Sequence, residues 1–161
     1  MSRKKAKITT PPNPVKEKTK VGGAFAVDAT TLEKAEEAIS AMAPQYLEWV
    51  KQDLISIDAA YNDLINSDEK IQENCQRIFL ISHDMKGQGG TFGFDLITSI
   101  GDQLCRMIDK IVLIDENEIE AIRVHIDAMK LVINNKISGN GGSEGEEILT
   151  GLKKVSEKVL S

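Results

Sequence analysis

The chain has 161 residues, of which 41% are hydrophobic but only 4% aromatic, so it is the size of one domain with a mainly aliphatic core. A net charge of −5 speaks against a generally basic nucleic-acid binder, and two cysteines thirty positions apart exclude a disulfide scaffold or a four-cysteine zinc site. No apolar run approaches the roughly 20 residues needed to cross a bilayer, and the opening MSRKKAKITTPPNP has no apolar stretch behind its charges, so a cytoplasmic protein without a secretory signal is expected.

In chain order, residues 1–20 hold seven cations against the single acid Glu17, a net +6 that leaves −11 for the remainder. With Pro11, Pro12 and Pro14 and few large apolar side chains, residues 1–28 are read as a disordered basic tail. The domain is expected to span 29–161. Asp28, Thr30 or Thr31 caps a helix through TLEKAEEAISAMA that ends near Pro44. Pro44 suits the first turn of a second helix, whose Leu47, Val50, Leu54, Ile57, Tyr61 and Leu64 recur every three or four residues. Ser67 and Asp68 start a third, with the seam Ile71, Cys75, Ile78, Ser82, Met85 and Gly89. A fourth covers about 94–112 with Leu96, Ile97, Ile100, Leu104, Met107, Ile108 and Ile111 inward. Asp115 caps a fifth, with Ile119, Ile122, Ile126, Met129 and Ile133 on one face. SGNGGSEGEE reads as a flexible connector and ILTGLKKVSEKVL as a short last helix. Short connections imply antiparallel neighbours. The expected fold is all-α: an antiparallel, up-down-up-down four-helix bundle with an extra helix at each end.

One face of the third helix carries chemistry. With His83 at zero on a wheel of about 100° per residue, the seam falls at roughly −100° to −160°, so His83 points to solvent. Lys86, Gly87 and Gly90 lie within about 60° of it, as do Gln76, Phe79 and Leu80. A neutral imidazole is nucleophilic, and a free imidazole titrates near about 6.5. Lys86 supplies a compact positive charge for an anion on the ring. Glycine in a helix costs about 1 kcal/mol relative to alanine, and clearance for another protein's active site is the compensation that fits. A histidine, a cation and bare backbone on one exposed face describe a phosphoryl acceptor served by a docking partner. An inert surface histidine on a structural bundle is the blander account of the same residues.

The segment IFLISHDMKGQGGTFGFDLITSIGDQLCRMID resembles a histidine-containing phosphotransfer (HPt) domain. That family's pattern, His-x-x-Lys-Gly with a glycine ten positions after the histidine, is met by His83, Lys86, Gly87 and Gly93. The run IF…H..KG..GTFGF is most like the phosphotransfer domain of chemotaxis histidine kinases. The likeness covers about 78–109, and by helix pattern about 32–160. It implies that His83 is phosphorylated, that Lys86 lies near the phosphoryl group and that Gly87 gives access. The implied partners are response regulator receiver domains and a histidine kinase. They would dock over Gln76, Phe79, Leu80 and Gly90 on a monomer that needs no cofactor of its own, the Mg²⁺ belonging to the receiver. No metal site, nucleic acid or membrane span is expected. The chain departs from the pattern on the fourth helix. Chemotaxis kinases place there a glutamate that orients the histidine, whereas an ungapped match puts Cys105 at that place. Asp102, one turn earlier, is the candidate for the orienting role. With no room for a kinase domain, the resemblance implies a stand-alone phosphoryl carrier, not an enzyme. The alternative is an adaptor or inhibitor that binds a receiver or kinase through the same face without being phosphorylated.

His125 is read as a helix-surface or half-buried residue and Cys75 as core packing. GQGG and GNGG follow no strand and belong to no nucleotide-binding loop.

Overall fold

Alternating stretches of three- and four-residue apolar spacing become six α-helices and no strand among the described residues, which in this computed structural model are 28–161. The proposed tail, 1–28, lies outside them but for its last residue. The helices are α1 (Ala29–Ala41), α2 (Ala43–Asn66), α3 (Ile71–Gly89), α4 (Asp95–Lys110), α5 (Glu116–Asn134) and α6 (Gly142–Val159). The chain divides into two units between Ala35 and Glu36, within α1, and the packed helices α2–α6 all belong to the second, residues 36–161.

Within that unit α2 packs on α3 and α5, α3 on α4, and α4 on α5, while α6 packs on α4 and α5. Their common core is aliphatic, as the composition requires: Ile57, Ile78, Ile97, Ile100, Leu104, Ile122 and Ile126 are fully buried. Each such side chain contributes about 1.5–3 kcal/mol by leaving water. No helix among the described residues is long and apolar enough to cross a membrane.

Local signals set most boundaries. Pro44 occupies the first turn of α2, where its missing N–H costs nothing. Ser67 is extended and makes no side-chain cap. A 3₁₀ turn at Asp68–Lys70 leads into α3 instead. Asp115 starts α5 through a full capping box: its carboxylate accepts from Asn117 N–H at 2.7 Å, and Glu118 accepts from Asp115 N–H at 3.0 Å. At its far end α3 gives way to a 3₁₀ turn, Gly90–Phe92, and then to Gly93 at φ 79°, a left-handed position suited to glycine. Phe92 stacks on Tyr46 with ring centroids 4.7 Å apart, so an aromatic contact to α2 fixes the end of α3. The Tyr46 hydroxyl is buried, and desolvation pushes its pKa up to about 12.

The last helix departs from the expected connector and short helix. It begins at Gly142, so GSEGEE is its first turns and not a linker. The reason is packing. Gly145 is buried against the chain at Asn140, so close that a Cβ there would lie inside the Asn140 carbonyl, and Gly145 N–H donates to Gly141 O at 3.1 Å. Glu144 in the first turn complements the helix dipole. Tertiary contact outweighs glycine's poor propensity here.

Candidate functional site

The heptad-like seam of α3 is buried at Cys75, Ile78, Ser82, Met85 and Gly89, with Asn74 beside it and Ile71 half-buried. The opposite side therefore faces outward. His83 stands there with 60% of its side chain exposed. Gln76, Leu80 and Gly87 are exposed on the same side, and Phe79 is half-buried. The Phe79 ring stacks beside the imidazole, centroids 6.0 Å apart and planes 22° apart, and so restricts how the ring can turn.

Gly87 delivers the expected clearance: a Cβ built on it meets nothing within 4 Å. Gly90 does not. It lies past the end of α3, and a Cβ on it would touch Asp95 Oδ1 at 3.4 Å and Thr98 Oγ1 at 3.6 Å. Its role is a tie between helices. Gly90 N–H donates to Thr98 Oγ1 at 2.9 Å, and the Thr98 hydroxyl donates to Lys86 O, also at 2.9 Å. Thr98 thus donates to a carbonyl at the end of α3 and accepts from the Gly90 N–H with one side chain.

Helix α4 comes close to α3 because Gly101 has no side chain. A Cβ at that point would sit 3.0 Å from Lys86 Cβ and 3.1 Å from Ser82 O. That approach brings Asp102 to Lys86, whose Nζ lies 2.8 Å from Asp102 Oδ1, and the Arg106 guanidinium holds the other carboxylate oxygen. Lys86 and Asp102 are 34% and 25% exposed, so the pair is sheltered more than an ordinary surface bridge. Asp102 joins the site through Lys86. No hydrogen bond between Asp102 and His83 occurs among the described residues, both carboxylate oxygens being taken up by cations. Within 4.0 Å of the imidazole nitrogens the one carboxylate among those residues is Asp84, 4.0 Å from Nδ1.

Cys105, at the place of the family glutamate, is buried and cannot act as a carboxylate. Its thiol donates to Phe79 O at 3.7 Å, and burial pushes its pKa up to about 11, opposed by the Lys86 charge. On the other flank, desolvation and then the Asp84 charge raise the Asp53 carboxyl above its usual range. The exposed histidine thus has Asp84 beside it, and Lys86, one turn on, is held by Asp102.

His125 departs from its expected place: it is fully buried, not half-buried or on the helix surface. Its Nδ1–H donates to Ala121 O at 2.7 Å, and its Nε2 accepts from the Ser156 hydroxyl at 3.3 Å. A neutral ring with both nitrogens bonded is tolerated in an apolar core, and desolvation lowers its pKa.

Three participants are not evident from the motif: Thr98, Gly101 and Arg106. Two carry a usable signal. Gly101 falls on the apolar stripe between Ile97 and Leu104, where only a close helix approach rewards a glycine. Arg106 stands four residues after Asp102, the spacing of a helical ion pair. Nothing in the local sequence marks Thr98. No cluster of three or more histidine, cysteine or acidic side chains able to hold a metal occurs among the described residues.

No family model matches the chain, nor does any curated protein or solved structure.

Proposed function

We propose that the chain is a histidine phosphotransfer protein of a two-component or phosphorelay system, carrying a phosphoryl group on His83. The observation that carries this reading is the coincidence on one face of α3 of a mostly exposed imidazole, an ammonium one turn away and open space above Gly87. The helix contacts are compatible with α2–α5 forming an antiparallel, up-down-up-down four-helix bundle with α1 and α6 as additions, the architecture the HPt resemblance implies.

In this reading a receiver's aspartyl phosphate approaches His83. A ring nitrogen attacks phosphorus, the P–N bond forms as the P–O bond breaks, and the aspartate leaves as a carboxylate. Nδ1 faces Asp84, so Nε2 is the nitrogen better placed to attack. A second receiver takes the group by the reverse step, and a histidine kinase is the alternative donor. Phosphoryl transfer of this kind needs positioning and charge neutralisation more than covalent machinery. Phe79 limits the ring's rotation, Lys86 supplies the charge, and Gly87 admits the partner. The Mg²⁺ and the acids that hold it would come from the receiver, so the chain is a substrate and donor for its partners and not itself an enzyme. Gln76, Phe79 and Leu80 would form the docking rim, and Gly90 serves the rim through its tie to Thr98. A cytoplasmic monomer with a modest, transient interface fits a carrier that must release each partner.

One observation favours a second reading. With Cys105 at the glutamate's place and Asp102 bound to two cations, no close carboxylate fixes the His83 tautomer. A protein that had lost the acceptor role would keep the face as a docking surface and act as an adaptor or inhibitor. Incubation with a panel of phosphorylated receivers decides. The carrier acquires acid-labile phosphate that His83→Gln abolishes. Binding of receivers with no phosphate on the wild-type chain would instead establish the adaptor.

A further inference from the structure

Helices α4 and α6 enclose an open groove of about 670 Å³. That volume lies within the roughly 300–1,000 Å³ usual for small-molecule sites. Its charge runs against the rest of the sequence. Everything after Lys20 sums to −11, yet Arg106, Lys110 and Lys153 line this groove with one acid, Glu157; Arg106 is held by Asp102, which leaves Lys110 and Lys153 as the cations a ligand would meet first. The acid does not cancel them. Lys153 Nζ stands 3.8 Å from Glu157 in a pair about two-thirds exposed, a distance and exposure at which water competes well.

The walls are not simply basic. Leu160 and the aliphatic stems of the lysines provide apolar surface between the cations, over the buried Met107. Two polar groups meet the groove at its base. Ser156 donates its hydroxyl proton to the buried His125, which leaves the oxygen's lone pairs to accept from another donor. Gln103 donates from Nε2 to Leu149 O at 3.2 Å, and that bond fixes its amide so that Oε1 is the buried atom left without a partner.

We infer that this groove binds a small amphipathic anion: a phosphomonoester or a similarly compact dianion on an apolar body, with a hydrogen-bond donor near Ser156. The anion would sit between Lys110 and Lys153, with Arg106 adding its charge from its place on Asp102, and the apolar body against Leu160 and the lysine stems. The groove lies between α4 and α6, linked to Lys86 through the Arg106–Asp102 pair, and the inference does not depend on the carrier reading.

Phenyl phosphate, inorganic phosphate and benzyl alcohol are the three probes, followed by amide NMR shifts of the full chain. Phenyl phosphate is expected to give saturable shifts at Gln103, Lys110, Lys153 and Ser156, inorganic phosphate weaker ones at the same places, and benzyl alcohol none. Lys110→Ala with Lys153→Ala, both on exposed side chains, should leave the fold's circular dichroism unchanged and weaken phenyl phosphate at least tenfold. Non-saturable shifts, shifts centred elsewhere, equal binding by the double variant, or tighter binding of benzyl alcohol would each overturn the proposal.

Discussion

Alanine at position 87 separates clearance from mere helix architecture. Gly87 lies inside α3 with a negative φ and nothing within 4 Å of where a Cβ would go. Alanine there adds no clash and removes the entropy cost of glycine, a gain of about 0.5–1 kcal/mol. For a chain of this size that raises Tm by about 1–4 °C. The same substitution at Gly101 has the opposite sign. Its Cβ would press on Lys86 Cβ at 3.0 Å and Ser82 O at 3.1 Å, and neither is the loose end of a flexible chain. Overpacking costs about 1–3 kcal/mol, so the propensity gain leaves a net loss of about 0–2.5 kcal/mol. Thermal melts followed by circular dichroism measure both. Under the carrier reading, the more stable Gly87→Ala protein takes up phosphate from a phosphorylated receiver more slowly, because its methyl stands where the partner approaches. A Gly87→Ala chain that melts higher and is phosphorylated at the wild-type rate would refute the clearance argument, and one that melts lower would refute the open geometry itself.

Two further outcomes arise from the charges. Asp102→Asn removes the negative charge that Lys86 and Arg106 share and should cost about 1 kcal/mol or less in urea unfolding at low salt, the loss shrinking as salt is added. A loss independent of salt would mean that the carboxylate acts by packing. His125, buried and neutral, has a folded pKa below the ordinary imidazole value, so the unfolded chain takes up its proton first as the pH falls. Stability from this group is therefore complete above about pH 6.5 and declines below it toward the depressed folded value. His125→Gln should flatten that part of the stability–pH curve. An unchanged slope would assign the acid loss to other groups.

The sequence legibility of the fold tracks how local each signal is. The α3 seam, Pro44 and the Asp115 capping box depend on residues a few positions apart, and each element appears where its pattern places it. The outward placement of His83 is of the same kind, since a helical wheel needs only the seam. The start of α6 depends on Gly145 packing against Asn140, and His125 on the arrival of Ser156 thirty-one residues later. Neither can be read from a window of one helix. A lone histidine between isoleucines carries no mark of whether a hydroxyl will reach its second nitrogen.

Asp102 is the residue expected to orient His83, and the structure puts it on the ammonium instead, which changes what phosphorylation would have to accomplish. In the unmodified protein Lys86 is already satisfied at 2.8 Å. A phosphoryl group on His83 would have to draw the ammonium from a carboxylate, and its greater charge favours that exchange. Arg106 makes the exchange cheaper, because Asp102 keeps one cation when it yields the other. The Gly101 approach and the Thr98 tie hold the Lys86 backbone against α4, so in the carrier reading any change of partner falls to the Lys86 side chain. In the carrier reading, Asp102→Asn thus frees Lys86 in advance, and the phosphorylated form should gain the ammonium without that competition. Its phosphohistidine would then hydrolyse more slowly than the wild type's, and equal or faster hydrolysis would show that Lys86 never leaves the carboxylate.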